Sequence, residues 1–207
     1  MQKNLAPTKG NLMMAKNTLR LSKQGYEMLD KKRNILIREM MLLIEEAKEV
    51  EAKIEETFAT AYKALESANV IMGVSKVQNL AHSAVIEDSV RIDLRSVMGV
   101  EIPVVKVDKP AKRPVYGFYG TSSALDEASV KFEEVKMMIA RLTEIENSVY
   151  RLAMNIKKTQ KRANALENIT IPLYESLAKE IQNALEEKER EEHTRLKIIK
   201  RTSGKNS

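Results

Sequence analysis

Residues 26–72 read YEMLDKKRNILIREMMLLIEEAKEVEAKIEETFATAYKALESANVIM, forty-seven residues without a proline or a glycine. Within and around this stretch apolar side chains recur in alternating steps of three and four. One row is Leu12, Leu19, Tyr26, Arg33, Met40, Ala47, Ile54, Ala61 and Ala68; the other is Ala15, Ser22, Leu29, Leu36, Leu43, Val50, Thr57, Ala64 and Ile71. Only Arg33, Ser22 and Thr57 are polar, so the pattern is a heptad seam on one long helix, from about residue 10 to 72. At ~1.5 Å per residue such a helix is roughly 90 Å long, more than a compact domain of this size encloses.

A second seam follows Gly120-Thr121-Ser122-Ser123, where a serine can cap a helix and Asp126 and Glu127 suit its first turn. It runs Leu125, Ala128, Phe132, Val135, Ile139, Leu142, Ile145, Val149, Leu152, Ile156, Thr159, Ala163, Leu166, Thr170, Leu173, Leu177 and Ile181. The three-three step Ile139, Leu142, Ile145 is a stammer. Pro172 lacks a backbone N–H, which predicts a kink or short break near 169–172 in a helix spanning about 122–201, with a frayed tail at 202–207.

Between the helices, in a central region 73–121, the period changes to two. Val90, Ile92 and Leu94 alternate with Arg91, Asp93 and Arg95, and Val97, Met98, Gly99 and Val100 lead into Ile102-Pro103-Val104-Val105. This predicts a β-hairpin over about 88–107, turning near Gly99, with Pro103 on an edge strand. A loop at Lys109–Pro114 and a short extended segment at Tyr116, Phe118 and Tyr119 complete the region. The expected fold is therefore dominated by α-helix: a long antiparallel, left-handed two-helix coiled coil with a small central β-hairpin. Residues at one level of the coil have numbers adding to about 195.

The whole chain of 207 residues carries 35 basic and 29 acidic side chains, no cysteine and no tryptophan. Each third contributes two units of positive charge, so no basic lobe marks a nucleic-acid surface. Without cysteine there is no disulfide frame, thiol nucleophile or cysteine zinc site, which suits a reducing cytoplasm. No stretch is long and apolar enough for a membrane span, and Met1–Gly10 has no signal-peptide core. Phosphate-binding glycine motifs are absent, so no cofactor is expected. Glu189 and His193 share a helix face, but two ligands do not make a metal site. The carboxylates of Glu45, Glu46, Glu49, Glu51, Glu55 and Glu56 spread around their helix instead of converging on a cleft. An enzyme is the least suited class, with neither catalytic nor metal residues to name.

Antiparallel pairing brings Lys31, Lys32, Arg33 and Arg38 level with Lys157, Lys158, Lys161 and Arg162. Two readings stand: solvated, salt-screened faces, or a collar for an acidic partner. The C-terminal helix should outrun its partner by roughly 25 Å, leaving Leu196 and Ile199 without an intramolecular seam.

Three motifs, in order along the chain, carry a family resemblance. Pro7-Thr8-Lys9 with Leu12, Leu19, Gly25, Leu29 and Lys31-Lys32-Arg33 forms the first, and Val97-Met98-Gly99-Val100-Glu101-Ile102-Pro103 the second. Lys161-Arg162-Ala163-Asn164-Ala165-Leu166-Glu167 with Ile171-Pro172 is the third and most specific. Together the chain resembles the D subunit of the rotary V-type and archaeal-type ATPases/ATP synthases, the central rotor shaft. Ala163 departs from the usual valine, and Asp30 and Asn34 from a lysine and an aspartate.

The resemblance implies a shaft without catalytic chemistry, lying peripherally on the cytoplasmic side of a membrane. It would turn inside a ring of A and B subunits, bind the F subunit, and meet a funnel-shaped subunit that connects to the proteolipid ring. Two other classes share the helix, hairpin, helix order or the charge. A prefoldin-like chaperone would suppress aggregation of unrelated clients without an ATPase partner, and a nucleic-acid-binding coiled coil would show steep salt dependence.

Overall fold

The computed structural model describes residues 6–82, 90–107, 116–117 and 119–203. The first helix, α1, spans Lys9–Met72; α2 spans Val74–Ala81; strands β1 and β2 span Val90–Val97 and Val100–Val107; α3 spans Ser123–Ala165 and α4 spans Ile171–Ser203, with the π-helical turn Leu166–Thr170 between them. The fold is thus helix-dominated with one two-stranded antiparallel sheet, the coiled coil and small hairpin that the two seams and the period-two segment call for. By contacts the chain divides into two compact units, residues 1–33 with 157–207, and residues 34–156.

In the unit of residues 34–156, the α1 and α3 seams face each other. Ile54, Ala61, Ala68, Leu125, Ala128, Val135, Ile145 and Leu152 are all buried. Phe58, Tyr62 and Phe132 form an aromatic group, stacked at 5.8 Å and edge-on at 5.6 Å. Tyr62 with Phe132, and Thr57 with Met138, lie within two residues of the level expected from the sequence. The stammer shifts, however. Ile139 is 42% exposed, and Met138 takes its place, its sulfur 4.0 Å from Thr57 Oγ1. The three-three step therefore runs Phe132, Val135, Met138. An unbranched methionine fills the irregular gap that an overwound step leaves, which a β-branched isoleucine does less readily.

Gly73 (φ +83) ends α1 in a conformation reserved for glycine, and its carbonyl starts α2 by accepting the N–H groups of Lys76 and Val77. The heptad periodicity does not announce this short helix. Its Val77 and Leu80 pack with Ala68, Leu65, Met72, Leu125 and Tyr116 to close the end of the coil. Ser122 caps α3, its Oγ accepting the N–H of Ala124 and its carbonyl that of Leu125. Tyr116 sits in a bend and Tyr119 in a turn, fully exposed, so the extended segment expected there does not form at these two residues. Phe118, residues 88–89 of the expected hairpin, the loop at 109–114 and the last tail residues, 204–207, lie outside the described residues. Thr202 and Ser203, expected to fray, belong to α4.

The hairpin turns on two residues, Met98 and Gly99, with φ +50 and +75. Both angles are positive, as a type I′ turn requires. Gly99 is suited to this and Met98 is not. Met98→Asn should therefore stabilise the hairpin by about 0.5–1 kcal/mol, read as slower amide exchange along β1 and β2. Pro103 lies opposite Leu94. Counting from the hydrogen-bonded Val97/Val100 pair that closes a two-residue turn, this is a site whose N–H would point away from β1, so the proline costs no ladder bond.

In the unit containing residues 157–203, Ala15, Ser22, Thr159, Ala163, Ala178 and Ile181 are buried. Small side chains dominate, which permits close helix approach. Where a kink or short break is expected near 169–172, the chain forms a π turn that carries the helix through. Pro172 has no N–H for the carbonyl of Asn168, and its ring would press on that carbonyl; widening the preceding turn relieves both. Thr170 Oγ1 donates to the Ala165 carbonyl at 3.3 Å inside the widened turn. The extra residue rotates the face that follows, so Leu173, expected in the seam, is 45% exposed and Tyr174 is half-buried.

Candidate functional site

The basic residues singled out by sequence divide between the two units. In the unit with residues 157–203, Arg33 is drawn into the seam: it donates to Gln160 Oε1 at 2.6 Å and pairs with Asp30 one turn earlier. Gln160 passes the chain on to Asn164 Oδ1 at 2.6 Å. Arg33 is thus a satisfied, partly buried group, and its bond to Gln160 puts the two clusters at one level within this unit. Thr159 and Ala163 face inward, so the helix period turns Lys157, Lys158, Lys161 and Arg162 to solvent, where all four are exposed. Lys31 is exposed and Lys32 half-buried. Arg38 is exposed too, but it belongs to the other unit.

Tyr26 and Gly25 mark the next level of the same unit. The Glu167 carboxylate beside the Tyr26 hydroxyl pushes the tyrosine pKa up. A side chain at Gly25 would meet Leu166 Cδ1 at 3.7 Å, an ordinary contact. Farther along, Lys23 pairs with Glu175 at 2.6 Å and Lys9 with Glu189 at 3.2 Å. These exposed pairs contribute little stability individually, but they tie the N-terminal part of α1 to α4. Beyond them the residues from Glu191 to Thr202 are exposed, including Leu196 (63%) and Ile199 (61%).

The hairpin is seated in the other unit. Val97, Val100 and Ile102 pack onto Leu36, Met40, Leu43, Leu152 and Ile156. Glu144, only 8% exposed, holds the outer edge of β2: its Oε2 accepts the Val105 N–H at 2.9 Å, and its other oxygen takes a bond from Arg141, which also donates to Glu46. The hydrogen bond to Glu46, foremost, raises the Arg141 pKa. Arg151 Nη1 donates to the Glu101 carbonyl at 3.1 Å, and Arg95 reaches Glu39 at 3.4 Å. Neither Glu144 nor Arg151 is legible from sequence as a hairpin ligand. A glutamate and an arginine seven residues apart on one helix face are the only sequence signal.

A second row also escapes the sequence reading. Met14 (64%), Leu21 (62%) and Met28 (74%) repeat every seven residues on the face of α1 away from its seam, flanked by Asn17, Thr18 and Gln24. Their equal spacing is the signal that could have found it.

At the foot of α3, Tyr116 donates to Asp126 Oδ1 at 2.6 Å, and burial, helped by that carboxylate, pushes its pKa up to about 12. The folded chain thus holds a proton that the unfolded chain releases near 10. This contribution to stability is complete below pH 10 and is lost as the pH rises toward about 12. An ultraviolet titration should show a late-ionising tyrosine that Tyr116→Phe removes.

A family model described as the D subunit of ATP synthase matches residues 11–201. The chain belongs to the ATP synthase D-subunit family. The V-type ATP synthase D subunit of Thermotoga neapolitana is 44% identical over 197 residues, covering 95% of this chain and 97% of the relative. The A-type ATP synthase D subunit of Pyrococcus furiosus is 36% identical, covering 94% and 92%. That of Methanosphaera stadtmanae is 37% identical, with the same shares covered, 94% and 92%. The match to the D-subunit family runs through both units and the hairpin, so the family's extent coincides with the whole helix, hairpin, helix order. Among the described residues, no helix of this family member is long and apolar enough to cross a membrane.

Proposed function

We propose that this chain is the central rotor shaft of a V/A-type ATPase/ATP synthase, coupling ATP hydrolysis or synthesis in a ring of A and B subunits to ion translocation by a membrane ring. It carries no catalytic site of its own. The observation that carries this reading is the unbroken family match over residues 11–201 on helices whose seams bury small and aliphatic side chains along their length. A paired-helix element of this kind transmits torque, and different side chains around it stabilise different conformations of otherwise equivalent catalytic sites.

In this reading Leu196, Ile199 and the exposed end of α4 enter the catalytic ring. Lys31, Lys157, Lys158, Lys161 and Arg162 meet its acidic surfaces, and Arg33 serves the seam. The F subunit binds the shaft, and a funnel-shaped subunit links it to the proteolipid ring, leaving the chain peripheral on the cytoplasmic side. A tagged chain purified from membranes should bring down the A, B and F subunits. Recovery of the chain alone, under conditions that keep peripheral complexes together, would defeat the proposal.

A further inference from the structure

The two edges of the hairpin are treated differently. In β2 the backbone groups pointing away from β1 belong to Glu101, Pro103, Val105 and Val107. The Glu101 carbonyl is taken by Arg151, the Val105 N–H by Glu144, and Pro103 has no N–H to leave open. In β1 the outward groups belong to Val90, Ile92, Leu94 and Ser96, the partners in register of Val107, Val105, Pro103 and Glu101. Among the described residues nothing caps these groups.

The same residues expose their side chains. Ile92 is 67% and Leu94 60% exposed, Val90 is 48% exposed, and every β1 residue before Val97 is open to solvent. They stand on the face opposite the one that packs on Leu36 and Leu152. An eight-residue edge with one apolar, exposed face and no proline, glycine or bulge is blunted only by the charges on its other face, Arg91, Asp93 and Arg95. Period alone makes Val90, Ile92 and Leu94 one face of a strand; among the described residues that face is exposed and its hydrogen-bonding edge has no partner.

We propose that β1 accepts an added β-strand from another polypeptide of the ATPase assembly, one alternating apolar with acidic residues. Alternating N–H and C=O groups are matched by an extended backbone and not by a helix, which has none to spare along its side. Apolar side chains of the added strand would extend the Ile92 and Leu94 face. On the other face Asp93 pairs with Lys106 at 2.6 Å and Arg95, its side chain 64% exposed, pairs with Glu39 at 3.4 Å. With Arg91 on the same face, three basic groups stand against these two carboxylates, a net positive charge that suits an acid on the incoming strand.

This inference rests on membership of the assembly proposed above. The test is residue-resolved hydrogen exchange on the chain alone and on the chain within the purified assembly. In the isolated chain the amides of Ile92, Leu94 and Ser96 should exchange fast, while those of Asp93, Arg95 and Val97 are already slowed by β2. On assembly, strand addition should slow the first three by about 100-fold and the others much less. Equal slowing of both sets would mean covering without strand pairing, and no slowing would mean an open edge; either overturns the proposal.

Protection that appears in the isolated chain and grows with its concentration would assign the edge to a second copy and overturn it too. Leu94→Pro removes an outward N–H without breaking the ladder, as Pro103 does on β2. It should leave the melting temperature of the isolated chain unchanged and abolish the alternate protection. A chain that never enters the assembly defeats the rotor reading, whereas one that enters with Ile92, Leu94 and Ser96 still exchanging fast defeats the added strand alone.

Discussion

Leu152→Ala should lower the unfolding free energy of the unit spanning residues 34–156 by about 3 kcal/mol, within the range of about 2–5 for a buried leucine truncated to alanine. Leu152 and Leu36 are both completely buried, and they meet Val100 and Ile102 from the hairpin as well as each other. The cavity thus opens where the two helices and the sheet converge, and none of the three can close it without leaving another partner. Denaturant unfolding read by helix content should shift its midpoint with an unchanged slope, and hairpin amides should exchange faster in parallel. A loss below about 1 kcal/mol would show that the site relaxes around the smaller side chain.

On the proposed rotor reading, neutralising Lys157, Lys158, Lys161 and Arg162 together to glutamine should weaken binding to the A and B ring roughly 10- to 100-fold at low salt, from about 0.3–0.7 kcal/mol per exposed charge. All four are exposed, so nothing in the seam is disturbed, and removing like charges near Lys31 and Lys32 should leave the melting temperature equal or slightly raised. The difference between variant and parent should shrink as salt is added. Arg33→Gln is the informative contrast. It removes the bonds to Gln160 and Asp30, so it should lower stability first and ring binding only as a consequence. Unchanged binding and turnover in the fourfold variant would reduce the cluster to a solvated face.

Charge alone groups Arg33 with Lys31 and Lys32 in the collar, although the heptad count places it in the seam row. Whether an arginine in a seam row turns outward or is held depends on what faces it, and Gln160 on the opposing helix supplies an acceptor that no local pattern announces. The exposed lysines are legible because exposure follows from the helix period once the buried row is known.

What the sequence determined by itself is what short-range rules govern. The rows of α1 from Leu12 to Ala68 are mostly buried or half-buried, Gly99 lies in the turn, and Ser122 caps α3, because heptad spacing, positive φ and capping need only a few neighbouring residues. The tertiary structure decided the rest. Met138 entered the seam in place of Ile139, and Tyr174 turned inward where Leu173 was expected, because period locates a face only to within one residue and the opposing helix or a widened turn selects between adjacent side chains. It also decided which edge of the hairpin is capped by side chains of α3. Glu144 and Arg151 reach β2 across roughly forty to fifty residues of chain, and a hydrogen bond at that separation is specified by packing of the elements and not by any pattern within them.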